Sequence, residues 1–161
     1  MGLDVTYMQN AEFVGKFDEI DEEAAWEQGL HLCWPNKDFP KHAESLVEGY
    51  YKGAGVSTFR AGSYSGYNRW RELLAETIHG MTPHEIWTAA DGTYEGYAFI
   101  ELIHFSDCEG IIGPLTSASL AQDFNDFSGK IKEWGSYDIT LYQNFMRAFN
   151  VAAINGIVQF H

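Results

Sequence analysis

Strand-like and helix-like stretches follow one another along this chain in an irregular order, and that order limits the folds open to it. Alternating apolar and polar residues, or short apolar runs bounded by turn residues, predict five strands. These cover residues 3–7, 30–34, 56–60, 97–105 and 157–161. No internal repeat or linker interrupts the series. We therefore predict one α+β domain over residues 1–161, with about three helices packed on an antiparallel or mixed sheet.

The predicted helices come from three stretches with apolar residues at helical spacing. The first is expected to be capped by Asn68 and to end at Gly80. The second is expected to begin at Ser119, or slightly earlier at Thr116 or Ser117. The third follows Ser136, and its apolar stripe consists of Leu141, Tyr142, Phe145, Phe149, Ala152 and Ala153. Each stripe is wide enough to pack against a sheet.

The charge of the chain excludes some classes of function. Ten Lys and Arg stand against 23 Asp and Glu, so the formal net charge is −13. Such a surface repels phosphate backbones, and we predict no binding to nucleic acid. No run of 18 apolar residues occurs, and the N-terminus lacks the pattern of a signal peptide, so we expect a cytoplasmic protein that does not bind membranes. Cys33 and Cys108 have no metal-type spacing and are expected to be reduced thiols.

Polar residues that carry chemistry concentrate in two segments, which we call cassette 1 and cassette 2. Cassette 1 is residues 59–70 (FRAGSYSGYNRW), and cassette 2 is residues 104–113 (HFSDCEGIIG). Each lies between a strand-like and a helix-like stretch. Loops held by a rigid scaffold are the usual place for binding and catalysis. We therefore predict that a small polar site forms where the two cassettes meet.

Cassette 1 predicts an anion site. We expect a flexible loop that leads into a helix N-terminus, where free N–H groups and the helix dipole attract negative charge. The candidate ligand-binding residues are Arg60, Ser63, Tyr64, Ser65 and Arg69. Arg71 lies beside them. The alternative is that the glycines form a tight turn and the arginines pair with surface carboxylates, as charged side chains commonly do.

Cassette 2 is rich in groups suited to nucleophilic and acid–base chemistry. We assign Asp107 and Glu109 to the candidate ligand site, opposite the arginines, and Cys108 is the candidate nucleophile. The alternative is that Cys108 is a small buried residue and His104 a hydrogen-bonded core histidine. A metal at the same turn would lack any HxxxH, HExxH or EF-hand spacing, so we predict no metal and no cofactor.

The cassettes also carry a resemblance. The FRAGSYSGYN block, and FSDCEG with the IGP that follows it, resemble a family of small uncharacterised proteins from bacterial and phage or prophage genomes. The resemblance runs in scattered blocks over most of the chain, from the initial MGLD to the final FH. It implies a microbial cytosolic accessory protein. It supplies no reaction, ligand or catalytic residue.

Taken together, these patterns predict a non-enzymatic cytosolic binding or interaction protein, whose partner is a small anionic ligand or another protein. One alternative is a small enzyme that uses Cys108 or a metal at the same turn. Another is an acidic protein that acts on a host partner through its surface charge. A composite site requires Arg60, Arg69 and Arg71 to lie close to Asp107 and Glu109.

Overall fold

A curled antiparallel sheet carries the core of the protein. The computed structural model describes residues 2–89, 96–106 and 109–161. The strands of the sheet are β1 (Gly2–Gly15), β2 (His31–Cys33), β3 (Gly49–Ser63), β4 (Gly110–Ile112) and β5 (Ile157–Phe160). They lie in the order β2-β3-β1-β5-β4, and every neighbouring pair is antiparallel. The predicted single α+β domain with an antiparallel or mixed sheet is confirmed.

Three long helices and several short ones pack around this sheet. The helices of the described residues are α1 (Glu22–Glu27), α2 (Tyr64–His79), α3 (Pro83–Thr88), α4 (Ile100–His104), α5 (Pro114–Asp126) and α6 (Ser136–Ala152). The long helices α2, α5 and α6 are the three that the sequence predicts. None of the helices in the described residues is both long and apolar enough to cross a membrane.

Aromatic side chains fill the space between the long helices and the sheet. Trp70 of α2 stacks on Phe145 of α6 with ring centroids 5.1 Å apart, and Phe124 of α5 meets Tyr142 edge-on at 4.7 Å. Phe160 of β5 extends the cluster onto the sheet, and all five rings are at most 1% exposed. Burying one such side chain contributes about 2–3 kcal/mol. The long helices are therefore held by burial of their apolar stripes.

The opposite face of the sheet is covered by the segment that joins β2 to β3. This segment contains the 3₁₀ turn Pro40–Ala43. A second apolar cluster forms beneath it from Met8, Cys33, Ala43, Tyr51, Ile111 and Ile157. Cys33 is a free, buried thiol, and burial raises its pKa to about 12. The segment also reaches β4, where the Gly113 amide donates to the His42 carbonyl at 2.7 Å.

The segment also supplies the cap of α5. Glu44 accepts hydrogen bonds from the Leu115 and Thr116 amides, at 3.0 and 3.1 Å. The helix begins at Pro114, so the predicted start at Ser119 or at Thr116 or Ser117 is wrong. The reason is that the capping oxygen comes from a residue distant in sequence, and no local side chain is needed.

Residues 97–105 do not form the strand that the sequence predicts. They contain the short helix α4. The residue before the helix, Phe99, has a left-handed backbone conformation with a φ of 61°. The Phe99 amide donates to Asp123 of α5 at 2.8 Å. The apolar side chains of this stretch are buried on every side, namely Phe99, Ile100, Leu102, Ile103 and Phe105. A short apolar run that is buried all round has no periodicity that separates strand from helix.

Candidate functional site

Cassette 1 is not a loop. Strand β3 continues to Ser63, and α2 begins at the next residue, Tyr64. The Ser63 hydroxyl caps the helix, since it accepts from the Gly66 amide at 3.1 Å, and it also lies 3.1 Å from the Ser65 hydroxyl. The predicted cap at Asn68 is therefore wrong, because Ser63 has the extended conformation of an N-cap and starts the helix earlier.

The two arginines that were predicted to bind an anion are paired with carboxylates of the protein. Arg60 lies 2.9 Å from Asp4, and Arg69 lies 2.5 Å from Asp138. Both arginine side chains are more than half exposed, at 58% and 55%. Exposed pairs of this kind contribute at most about 1 kcal/mol, but they do neutralise the charge. Tyr64 is half-buried and packs against the core.

Cassette 2 begins as the end of α4 and finishes as β4. His104 is the last residue of α4, and Glu109 is exposed just before β4. The Glu109 carbonyl accepts from the Asn36 side-chain amide at 2.7 Å. Asp107 and Cys108 lie outside the described residues. Their predicted roles, and the predicted approach of the arginines to Asp107, therefore stay predictions.

The two cassettes contact each other. The contact is made by Tyr67 and Phe105, which are not among the site residues predicted from the sequence. The Tyr67 hydroxyl donates to the Phe105 carbonyl at 3.2 Å. Arg71 donates through Nη1 to the Ile103 carbonyl and through Nη2 to Asn68 Oδ1, the latter at 2.6 Å. The Arg71 guanidinium also lies 5.7 Å from the centroid of the Tyr67 ring. Helix α2 is thus joined directly to the end of α4.

Three buried polar atoms without a hydrogen-bond partner in the described residues belong to side chains at this junction. They are Arg71 Nε, His104 Nε2 and His42 Nδ1. We call these side chains the Arg71 cluster. His42 comes from the segment that covers the sheet, and its ring lies 5.2 Å from that of Phe105. Buried polar groups rarely lack partners, so three in one cluster call for an explanation.

The histidines of the Arg71 cluster are neutral near pH 7. Burial, and then the nearby His104 ring, lower the pKa of His42 from 6.5 to about 4. Burial, and then the charge of Arg71, lower the pKa of His104. A neutral imidazole offers one donor and one acceptor. The formal charge of the cluster is therefore that of Arg71 alone.

Arg71 differs from the other arginines of cassette 1 in its partners. It is only 7% exposed, and within the described residues no carboxylate pairs with it. Its hydrogen bonds go to neutral oxygens. A buried charge without a counter-ion costs several kcal/mol, because water is removed and nothing charged replaces it. The cost is notable in a chain with 13 surplus negative charges, where a carboxylate partner is easy to supply.

The Arg71 cluster is not buried throughout, because one of its side chains is partly exposed to solvent. Asn68 and His104 are half-buried, whereas Arg71 and His42 are buried. The ring of Trp87, on α3, is 5.1 Å from the His104 ring. An anion that enters beside His104 would find a guanidinium and neutral ring nitrogens able to donate hydrogen bonds. Among the described residues no three His, Cys, Asp or Glu side chains are grouped to hold a metal.

Sequence reasoning missed His42. It lies in a segment with no recognisable motif, and nothing local relates it to His104, which follows it by 62 positions. Only the path of the covering segment across the sheet brings the two rings into one environment. Comparison of the chain with protein-family models, with curated proteins and with solved structures yields no match. The site is therefore interpreted from its own geometry.

Proposed function

We propose that this chain is a non-enzymatic binding protein that holds a small anionic ligand, a carboxylate or a phosphate, at the Arg71 cluster. The observation that supports the proposal best is the contrast between its arginines. Arg60 and Arg69 each pair with a carboxylate, whereas the more deeply buried Arg71 pairs with none in the described residues. A ligand anion would supply the missing counter-charge.

The unpartnered nitrogens give such a ligand more than one contact. Arg71 Nε is a donor at every pH near neutrality, and a neutral imidazole donates through one of its nitrogens. Hydrogen bonds from a charged donor to an anion are shorter and about twice as strong as those between neutral groups. Arg71 would bind the anion, and His104 and His42 would orient it through hydrogen bonds.

The proposed setting follows from the resemblance of the cassettes, which favours a cytosolic accessory protein of bacterial or phage origin. The enzyme alternative depends on Cys108 or on a metal at the same turn; Cys108 lies outside the described residues, and no contact of the described residues favours either form. The proposal therefore assigns binding, and no reaction, to this site.

The experiment is a titration of the protein with inorganic phosphate and, separately, with acetate, at constant ionic strength. The ring signals of His42 and His104 are followed by NMR. We expect saturable shifts of both rings with at least one of the two anions. Arg60→Gln serves as the matched control, because it removes an arginine of the same cassette that is already paired, and it should leave the binding curve unchanged.

Arg71→Gln should abolish the saturable shifts. Because Arg71 also bonds to the Ile103 carbonyl, the fold of this variant is checked first by the dispersion of its amide signals. If it does not fold, His104→Gln takes its place and should weaken binding about tenfold, the cost of one charged-ligand hydrogen bond. The proposal is contradicted if the wild-type rings respond to neither anion, or if folded Arg71→Gln or its substitute His104→Gln binds as tightly as the wild type.

A further inference from the structure

A second surface lies at the β2 edge of the sheet and shares no residue with the Arg71 cluster. A groove of about 810 Å³ opens between α1, the turn that follows β1 and the edge strand β2. Its floor is the small apolar cluster of Ala25, Leu30 and Tyr50. The groove is thus apolar at its base and belongs to the edge of the sheet, where no further strand pairs with β2 in the described residues.

Two large aromatic side chains line this groove and are exposed. Trp26 is 85% exposed, and Phe17 is 55% exposed although its ring stacks on Tyr50 with centroids 6.4 Å apart. Exposing an indole and a phenyl ring that line one groove to water is unfavourable, and exposed apolar surface with a polar rim marks interaction sites. Tryptophan is also among the residues that most often dominate binding energy at interfaces.

The rim of the groove is acidic. Asp21, Glu22 and Glu23 line it, and residues 18–27 contain six acidic side chains and no Lys or Arg. The two salt bridges among the described residues both lie elsewhere, at Arg60 and Arg69. Asp21, Glu22 and Glu23 therefore form no salt bridge with any Lys or Arg of the described residues. Together they produce a negative potential around an apolar groove.

We infer that this groove binds a basic peptide segment of a partner protein, one that carries several Lys or Arg side chains and an apolar anchor. The anchor would pack against Trp26 and Phe17, and the cationic side chains would face the carboxylates of α1. The apolar groove and its acidic rim would then each contact a matching part of the peptide. Lys and Arg are well suited because their aliphatic stems also cover apolar surface.

Charge complementarity favours a basic peptide over a second copy of the chain, a nucleic acid or an anionic lipid surface. A second copy of the chain carries the same net charge of −13, so pairing two such rims would place like charges together. Nucleic acids and anionic lipid surfaces are repelled for the same reason. The inference is independent of the proposed anion site, which uses other residues and an opposite charge.

The test uses a fluorescent probe peptide of about twelve residues that contains four arginines and one phenylalanine. Its binding to the full chain is measured by fluorescence anisotropy. We expect saturable binding that weakens about tenfold when NaCl is raised from about 50 to about 500 mM, because salt screens the attraction between the arginines of the peptide and the carboxylates of the groove. A peptide with glutamate in place of arginine should not bind.

Two variants locate the binding. Trp26→Ala should weaken it at least about tenfold, as expected for an interface hot spot, and its exposure means that the fold does not depend on it. Leu115→Ala, which truncates another exposed apolar side chain, is its control. The double variant Glu22→Gln/Glu23→Gln should also weaken binding, while Glu72→Gln/Glu76→Gln should not.

Three results overturn the inference. The first is the absence of saturable binding by the arginine peptide. The second is a Trp26→Ala curve that coincides with that of the wild type. The third is self-association of the wild-type chain that Trp26→Ala abolishes, since a second copy would then be the occupant. Analytical ultracentrifugation of both proteins distinguishes this last case.

Discussion

The buried imidazole of His42 predicts a specific loss of stability in acid. The ring stacks on Phe39 with centroids 5.2 Å apart, meets Phe105 edge-on, and is only 8% exposed. Its Nδ1 has no partner in the described residues. The perturbation we propose is His42→Phe, which keeps an aromatic ring between the same neighbours and removes the titrating group. His84→Gln, at an exposed histidine of α3, is the control.

The magnitude follows from the pKa of His42, which burial and His104 lower from 6.5 to about 4. The unfolded chain takes up a proton as pH falls through 6.5, whereas the native ring takes one up only near 4. The stabilising contribution is therefore complete above pH 6.5 and is lost between 6.5 and 4. The full loss is about 3 kcal/mol, of which about 2 kcal/mol has gone by pH 5.

The assay is urea denaturation from pH 7.5 to pH 5 in buffers that contain no phosphate. The carboxylates titrate in both proteins, so their contribution cancels in the difference between wild type and His42→Phe. That difference in unfolding free energy should shift by about 2 kcal/mol in favour of the variant as pH falls. His84→Gln should not shift in this way. Parallel stability curves for wild type and His42→Phe would refute the assignment of His42 as a buried neutral ring.

Two further predictions concern the covering segment and the thiols. Glu44→Gln removes the charge that caps α5 and should lower the free energy of unfolding by about 1 kcal/mol, measured by urea denaturation, while Glu48→Gln in the same segment should have no effect. Cys33, with its pKa raised to about 12, should resist iodoacetamide in the native protein at neutral pH. We expect Cys108 to react no faster than a free thiol; rapid alkylation mapped to Cys108 by mass spectrometry would favour the enzyme alternative.

Much of the fold follows from periodicity along the sequence. The apolar stripe of α6 marks its buried face, so the pattern reports the structure directly. At the start of β1 the alternation identifies Leu3, Val5 and Tyr7, which lie in the main core, although Thr6 between them is buried too. Gly80 ends α2 in a left-handed conformation, at a φ of 66°, as its position after the apolar stripe predicts. These features depend only on neighbours within a few residues.

The features that were predicted wrongly depend on distant parts of the chain. The start of α5 is set by Glu44, which lies 71 positions before Leu115. The apolar run at α4 is buried on all sides, so it lacks the one-sided pattern that identifies a strand or a helix. In both cases tertiary contacts decide the local structure.

The contact between the two cassettes was predictable in outline. The sequence indicates that cassettes 1 and 2 meet, and the contact exists between Tyr67, Arg71 and the end of α4. It does not indicate which arginine pairs with no carboxylate of the described residues, because pairing with Asp4 or Asp138 requires the register of the sheet and the packing of α6. His42 enters the cluster from a third segment that no local pattern connects to the other two.

The central claim is that an anion binds at Arg71. The most direct test is a crystal of the protein, grown without phosphate or sulfate and soaked in selenate, a tetrahedral oxyanion that anomalous scattering can locate. We expect an anomalous peak within hydrogen-bond distance of Arg71 Nε, beside the rings of His104 and His42. Selenate found only at exposed lysines, or at the already paired Arg60, would contradict it.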